Sequence, residues 1–267
     1  MILLFSETRS DYSQYLYPYA VWAVPEPGER PSDFFRRGFL PASPQLDRYY
    51  LCRNLRVDLR QFKPSSENRR ILRKGEGLAA ELIPHGQFVY SEERRASWKD
   101  YADRRFGEDI MTVERLDRLM NGPVISHLLH FTDRAAGKEV GTALLFLEEP
   151  AIAYYYYAFY DLTYLPRSLG MFMMTTAVDL FARRGFAHIH LGTCYSESAL
   201  YKAQFAGLEF FNGFRWASNL DELKFMIRRE QKPVRGHLLE LPELRDAFYA
   251  GSVEEMARQS SFHLAKE

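Results

Sequence analysis

Three strand-length segments in close succession constrain the fold of this chain more than any other feature. They cover 124–133, 140–148 and 151–161, are rich in apolar and aromatic residues, and are separated only by the turns RAAGKE and EEP. Strands joined by such short turns pair antiparallel, because a parallel pair needs a long crossover connection. The segments therefore predict an antiparallel meander.

Helix patterns lie on both sides of this meander. The predicted elements, in order, are helices over 64–75, 91–107 and 112–120, the meander, a helix over 169–185, a strand over 186–193, a short helix over 196–207, a strand over 208–217 and a helix over 220–230. This order is that of the Gcn5-related acyltransferase (GNAT) fold, in which two central strands splay apart beside a helix N-terminus. We therefore expect a mixed α/β protein with a mainly antiparallel central sheet and flanking helices.

The same pattern suggests how the chain is divided. We expect a smaller N-terminal region over 1–63, a GNAT-like transferase domain over 64–230, and a helical C-terminal tail over 231–267. The segment 24–33, VPEPGERPSD, is predicted to be a loop because proline and glycine interrupt regular structure there.

Charge and cysteine content narrow the functional classes. The 267 residues carry 35 basic and 35 acidic side chains, so only a local cluster could attract a nucleic acid. The two cysteines, Cys52 and Cys194, are isolated and form neither a disulfide framework nor a metal-binding motif. No apolar run approaches the ~20 residues of a membrane span, and no signal-peptide pattern is present. We expect a cytoplasmic protein with no bound metal and no membrane partner.

Four consecutive tyrosines, Tyr154 to Tyr157, occupy the last strand of the meander. Successive side chains of a strand point to opposite faces, so Tyr155 and Tyr157 are predicted to share one face. Either both faces are covered by other parts of the protein, or one pair lines a groove that offers flat rings and hydroxyl donors to a ligand.

A turn with the sequence Arg167-Ser168-Leu169-Gly170 follows this strand and opens the next helix. Acyl-CoA transferases of the GNAT fold carry an Arg/Gln-x-x-Gly-x-Gly/Ala motif here, whose backbone amides bind a pyrophosphate. This chain has Phe172 at the last small position, and we expect that ring to crowd a phosphate. The motif is therefore only half present.

Three stretches together resemble the C-terminal half of arginyl- and leucyl-tRNA–protein transferases: FYDLTYLPRSLG, ARRGFAHIHLGT and LYKAQFAGLEF. The shared motifs are Tyr160-Asp161, Arg167 to Gly170, Leu191-Gly192, Tyr201-Lys202, Glu209 and, upstream, Phe62, Pro64, Ser65, Arg69 and Arg70. The resemblance spans roughly 34–215. The chain departs from the family in its N-terminal half, where the family has several cysteines and this sequence has only Cys52. The resemblance therefore implies a divergent branch of the family.

The resemblance implies an enzyme that moves an amino acid, arginine or leucine, from an aminoacyl-tRNA to the N-terminal amine of a protein or peptide. The donor ester is already activated, so no cofactor is expected. Two alternatives stay open: a GNAT N-acyltransferase that uses acetyl-CoA or another acyl-CoA, and a non-catalytic relative that binds RNA or a peptide end.

Roles for individual residues follow from the resemblance. Asp161 would receive the amine proton or pair with a basic aminoacyl group, and Tyr201 would protonate the leaving oxygen. Lys202 would neutralise the terminal phosphate, and Glu209 would recognise a cationic aminoacyl group. The remaining candidate substrate-binding residues are Tyr155, Tyr157, Arg167, Ser168 and Gly170. The first four residues each have a structural alternative: Asp161 could cap a turn, Tyr201 could lie in the core, Lys202 could be exposed to solvent and Glu209 could lie at a strand edge.

A basic stripe on the helix 64–75 is the candidate tRNA-binding surface. It consists of Arg69, Arg70, Arg73 and Lys74, which fall on one side of a helix and could follow phosphates. The alternative is an ordinary solvated face. His188 and His190 share a strand face but have no third ligand beside them, so we predict that both are structural.

Overall fold

The meander forms the middle of a large mixed sheet in the computed structural model, which describes residues 1–7, 11, 19–108, 110–231, 238 and 241–262. The strands are β1 (Ile2–Glu7), β2 (Tyr19–Val24), β3 (Phe39–Pro41), β4 (Tyr49–Leu51), β5 (Asn54–Asp58), β6 (Leu78–Pro84), β7 (His127–Asp133), β8 (Lys138–Glu148), β9 (Ile152–Tyr160), β10 (His188–Thr193), β11 (Leu208–Phe211) and β12 (Trp216–Ala217).

The helices flank this sheet. They are α1 (Pro31–Arg36), α2 (Ser66–Lys74), α3 (Glu92–Phe106), α4 (Val113–Met120), α5 (Leu169–Arg183), α6 (Leu220–Glu230), α7 (Pro242–Phe248) and α8 (Val253–Arg258), with 3₁₀ turns at His85–Gln87, Leu162–Arg167 and Glu197–Gln204. The segment predicted as a short helix over 196–207 is thus a 3₁₀ turn, and the predicted loop over 24–33 already enters α1 at Pro31.

The strand order of the central sheet is β12-β11-β5-β10-β9-β8-β7-β6 within the described residues. The β9–β10 pair is parallel, and the other pairs of this sheet are antiparallel. The predicted class, a mixed and mainly antiparallel α/β sheet with flanking helices, is confirmed.

The parallel pair β9–β10 opens after three residues. Its register joins Ile152 to His188 and ends where Tyr154 meets His190, although both strands continue beyond that point. The rest of β9 stays paired with β8 on its other side. The two strands therefore diverge in the middle of the sheet, and the gap between them is open to a ligand.

Helices cover both faces of the sheet and bury the core. On one face, α5 and α2 pack over a cluster that includes Tyr155, Met173 and Ile189. On the other face, α3 and α4 pack over a cluster that includes Trp98 and Phe159. Side-chain caps fix where these helices begin: Ser65, Ser91 and Thr112 each accept a hydrogen bond from a backbone N–H in the first turn. Within the described ranges, no helix is both long and apolar enough to span a membrane.

The N-terminal region contributes to two sheets. Strands β1 to β4 form a small separate sheet in the order β1-β2-β4-β3, and Phe34 and Phe35 of α1 pack beside it against Tyr154 and Phe146. Strand β5, however, lies inside the central sheet between β11 and β10. The tail predicted to be helical contains α7 and α8; its residues 232–237, 239–240 and 263–267 lie outside the described part of the chain.

Candidate active site

The gap between β9 and β10 contains a cleft of 430 Å³. Side chains and backbone from β9, β10, α3, the start of α5 and the 3₁₀ turn after β10 form its wall. The lining residues are Tyr101, Arg105, Phe106, Tyr155, Tyr156, Tyr157, Ala158, Tyr160, Leu165, Ser168, Leu169, Gly170, Met171, Met174, Leu191, Tyr201 and Lys202. The cleft therefore brings together six of the predicted site residues: Tyr155, Tyr157, Ser168, Gly170, Tyr201 and Lys202.

A β-bulge changes which tyrosines share a face. The pairing of β9 with β8 shifts between Tyr155 and Tyr157, so Tyr156 has no direct partner. As a result Tyr155 lies in the core beneath α5, whereas Tyr157 packs with Phe159 on the opposite side. The prediction that Tyr155 and Tyr157 share one face is wrong, because an extra residue in a strand reverses the alternation beyond it.

Tyr155 contributes a buried hydroxyl to the cleft wall. Its side chain is 5% exposed, and its oxygen has no hydrogen-bond partner in the described part of the chain. Burial holds the pKa of this phenol well above its ordinary value, so it stays a donor.

The N-terminus of α5 opens onto the same cleft. Ser168 precedes α5 in the left-handed conformation (φ 57°, ψ 41°), and its side chain does not cap the helix. Its Oγ instead accepts a hydrogen bond of 3.1 Å from Lys74 Nζ. The first N–H groups of a helix have no intrahelical acceptor, so this end can hold a carbonyl or phosphate oxygen.

Gly170 keeps the first turn of α5 close to the tyrosine strand. A Cβ atom placed there would lie 2.8 Å from the Tyr160 hydroxyl. The Tyr160 ring also packs at a tilt against Tyr101, with ring centroids 4.8 Å apart. Sequence reasoning missed Tyr101 and Arg105 because α3 shows mixed charge; their spacing of four residues, which places them on one side of the helix, was the available signal.

Tyr201 and Lys202 project into the cleft from the 3₁₀ turn after β10. The Tyr201 side chain is 48% exposed, and its partial burial raises the pKa of the phenol. Lys202 is half-buried, and its Nζ donates a hydrogen bond of 3.1 Å to the Thr193 carbonyl. Burial lowers the pKa of this amine.

Arg167 points away from the cleft. Its guanidinium donates to the carbonyl oxygens of Lys74 (3.3 Å) and Glu76 (2.8 Å) and lies 3.4 Å from Asp133. It therefore ties the turn before α5 to the end of α2. Arg167, a candidate substrate-binding residue, is thus not part of the cleft wall, which at this turn is formed by Ser168 and Gly170.

Asp161 lies in a neighbouring pocket of 510 Å³, which shares Tyr101 and Tyr160 with the cleft. Its carboxylate accepts hydrogen bonds from Lys138 Nζ (2.6 Å) and from the backbone and hydroxyl of Thr163. Burial works to raise the pKa of Asp161, but these hydrogen bonds outweigh it and leave the pKa lowered. Its catalytic role stays a prediction.

Glu209 also lies outside the cleft. Its carboxylate accepts a hydrogen bond of 2.7 Å from Arg56 Nε, and that guanidinium stacks over the Trp216 ring at 3.8 Å. It faces a shallow pocket near Gln61 and Leu220. Recognition of an aminoacyl group by Glu209 stays a prediction.

The basic stripe runs along α2 toward the cleft. Arg69 donates to the Pro64 carbonyl, Arg70 pairs with Glu67 on the surface, and Arg73 is exposed. Lys74, at the end of the stripe, contacts Ser168 and thereby reaches the edge of the cleft.

Phe172 does not crowd the N-terminus of α5. It is buried, packs against Phe131 and lies where any side chain on Gly75 would have to go. The expectation of a clash with phosphate is therefore wrong, because this helical position faces the core rather than the cleft.

The histidines and cysteines are buried among other groups. His190 is fully buried between Phe35 and Trp216 and hydrogen-bonds Asn54 at 3.2 Å. Cys52 and Cys194 are free and buried. No group of three or more His, Cys, Asp or Glu side chains that could hold a metal is found in the ranges that the structure describes.

Comparison with known proteins gives a consistent set of relatives. A protein named aspartate/glutamate leucyltransferase from Rhodospirillum rubrum is 31% identical over 175 residues, which cover 62% of this chain and 68% of the relative. Proteins of the same name from Ruegeria sp. and Chromobacterium violaceum are each 24% identical; the matches cover 65% and 68% of this chain, and 64% and 76% of those relatives. No model of a known protein family matches the chain.

Solved structures give only remote matches. L-PGS from Bacillus licheniformis has a TM-score of 0.39 and 13% identity, covering 54% of this chain and 46% of its own. A GCN5-related N-acetyltransferase from Sphaerobacter thermophilus has a TM-score of 0.34 and 15% identity, covering 58% and 44%. The assignment comes instead from the sequence relatives: on its match to the Rhodospirillum rubrum protein, this chain belongs to the aspartate/glutamate leucyltransferase family.

Proposed function

We propose that this protein transfers leucine from leucyl-tRNA to the N-terminal amine of proteins that begin with aspartate or glutamate. The observation that carries the proposal is the charge of the cleft: its lining includes Arg105 and Lys202 but, among the described residues, no carboxylate. This distribution, together with the name of the sequence relatives, favours an apolar donor side chain and an anionic acceptor over the reverse arrangement.

The donor side chain would lie against the apolar part of the wall. Leu165, Leu169, Met171, Met174 and Leu191 line that part. A leucyl side chain gains free energy by leaving water here, at about 25 cal/mol per Å² of apolar surface. An arginyl side chain would bring a charge that requires a carboxylate partner, and Glu209 faces a different pocket.

The reaction would use two groups of the cleft. The first N–H groups of α5, next to Ser168 and Gly170, would stabilise the oxyanion that forms when the amine attacks the ester carbonyl. The acceptor α-ammonium would first release one proton to solvent. After attack, the Tyr201 phenol, kept protonated by its raised pKa, would donate its proton to the leaving ribose oxygen as the ester C–O bond breaks, and it would regain the second proton that the attacking nitrogen loses. In this scheme Asp161 positions the turn between β9 and α5, because it caps that turn and pairs with Lys138.

The tRNA would approach along α2. Arg69, Arg70 and Arg73 would contact phosphates, and Lys74 would lie where the stripe meets the cleft at Ser168. This path supports an RNA-linked donor over a coenzyme A donor, since it leads from an exposed basic surface to the N-terminus of α5.

The test mixes the protein with radiolabelled leucyl-tRNA or arginyl-tRNA and peptides that begin with Asp, Glu, Lys or Arg. We expect label only from leucyl-tRNA and only in the Asp and Glu peptides. Label from arginyl-tRNA, or in the Lys and Arg peptides, would contradict the choice of substrates. A thermal shift with acyl-CoA and none with tRNA would favour the acyl-CoA alternative.

A further inference from the structure

We propose that Lys202 binds the side-chain carboxylate of the acceptor and thereby makes the enzyme select N-terminal aspartate and glutamate. This assignment rests on the proposed function, because it concerns the acceptor of that reaction. It gives Lys202 a different ligand from the tRNA phosphate implied by the family resemblance.

The surroundings of Lys202 lack an anion. Its Nζ donates one hydrogen bond, to the Thr193 carbonyl, and no carboxylate pairs with it in the part of the chain that is described. An ammonium has three donors, so two of them remain for a ligand. Partial burial of a cation without a counter-charge costs free energy, and a bound carboxylate would offset that cost.

Gly192 keeps the approach to this amine open. It has φ of +80°, a conformation that other residues adopt only with strain, and a Cβ there would lie 3.7 Å from Lys202 Nζ. The glycine thus leaves both the backbone turn and the space beside the amine available.

Lys202 is also well placed relative to the proposed chemistry. Its Nζ lies 5.9 Å from the centre of the Tyr201 ring. The side-chain carboxylate of an N-terminal Asp or Glu is only a few bonds from its own α-amine. A carboxylate held by Lys202 would therefore keep that amine near the ester oxygen that Tyr201 protonates.

Arg105 is the other cation of the lining and is less suited to this role. It is exposed at the end of α3. Water screens an exposed charge, so the attraction of Arg105 for a carboxylate is weaker than that of the half-buried Lys202 amine.

The test compares peptides that begin with Asp and with Asn, which have nearly the same shape but differ in charge. For the wild type we expect kcat/KM to favour Asp by about ten-fold or more. Lys202→Met should remove most of this preference, because KM should rise much more for the Asp peptide than for the Asn peptide. Lys202→Arg keeps the positive charge and should retain part of the preference for Asp. It therefore shows whether the preference lost in Lys202→Met depends on the charge rather than on misfolding.

Three outcomes would overturn the proposal. Lys202→Met could lower kcat equally for both peptides, which would indicate a role at the oxyanion or the tRNA. It could leave the Asp preference unchanged, or Arg105→Met could remove that preference instead. Calorimetry of peptide binding to the wild type and to Lys202→Met, without tRNA, separates failure of this proposal from failure of the proposed function. If the wild type binds the Asp peptide selectively but transfers no leucine, the proposed function is contradicted and the role of Lys202 is not.

Discussion

Six of the described tyrosines line the cleft, and the surroundings of Tyr101, Tyr155 and Tyr201 keep their phenols protonated. Burial raises the pKa of Tyr101, Tyr155 and Tyr201. Each therefore remains a hydrogen-bond donor at any physiological pH. Tyr201 combines this property with access to solvent and substrate, which the buried Tyr155 lacks.

We expect Tyr201→Phe to lower kcat by about 10²-fold or more with little change in KM, since it removes a proton donor that acts in the transition state. Steady-state transfer from leucyl-tRNA measures both constants. Tyr164→Phe is the matched control, because its hydroxyl bonds Asp133 outside the cleft and should leave kcat nearly unchanged. Equal effects of the two variants would argue against Tyr201 as the acid.

Some residue positions could not be inferred from sequence. The alternation rule places Tyr155 and Tyr157 together, but the bulge at Tyr156 is set by pairing with β8 and leaves no local sequence mark. Likewise, the partner of Glu209 is Arg56, which lies on a strand distant in the chain. Tyr201 and Lys202, by contrast, were found because they form a short motif.

At the level of elements, the N-terminus of α5 is the feature on which the cleft depends. Helix starts that carry their own cap, such as Ser65 and Ser91, were predictable because the signal is local. The uncapped start of α5 was predictable only through the motif around Gly170. The small sheet of β1 to β4 was not foreseen, since its strands are short and pair across loops.

We expect Gly170→Ala to lower kcat/KM several-fold while destabilising the protein by no more than about 1–3 kcal/mol. The new methyl group would meet the Tyr160 hydroxyl at 2.8 Å and displace that ring from the cleft wall. Gly86→Ala is the control, because no atom lies within 4 Å of a Cβ there. Thermal denaturation and transfer assays measure the two effects; unchanged kinetics with Gly170→Ala would mean that the wall tolerates the shift.

At the level of the whole molecule, a protein with no net charge must bind a polyanion through a local surface. Replacing Arg69, Arg70 and Arg73 together by Ala should weaken tRNA binding and reduce the slope of log K against log salt by about one per lost phosphate contact. The change should cost little stability, since these side chains are exposed.

The matched control replaces three other exposed cations, Arg134, Lys224 and Arg228, and alters the net charge equally. Its salt slope should stay near that of the wild type. If both triple variants behave alike, general charge rather than the stripe on α2 determines tRNA binding.

The protein should also lose stability in weak acid because of two histidines of β10, the half-buried His188 and the buried His190. Burial lowers the pKa of His188 to about 4 and that of His190 well below its usual value. Below about pH 6.5 these histidines are protonated in the unfolded chain but stay neutral in the folded protein. The free energy of unfolding therefore falls as pH drops from about 6.5 toward 4, by up to about 1.4 kcal/mol per histidine for each pH unit. Urea unfolding at pH 7.5 and 5.5 measures this, and His188→Gln should reduce the difference; equal values at both pH conditions would contradict it.

Strand β5 has a consequence for how the protein is made. It leaves the ribosome before its two neighbours, β10 and β11, which are synthesised more than a hundred residues later. Until they arrive, both edges of β5 lack partners, and unpaired strand edges invite association with other chains. The central sheet closes only when almost all of its strands have been translated, so nascent chains halted before β10 should be much more prone to aggregate than the finished protein.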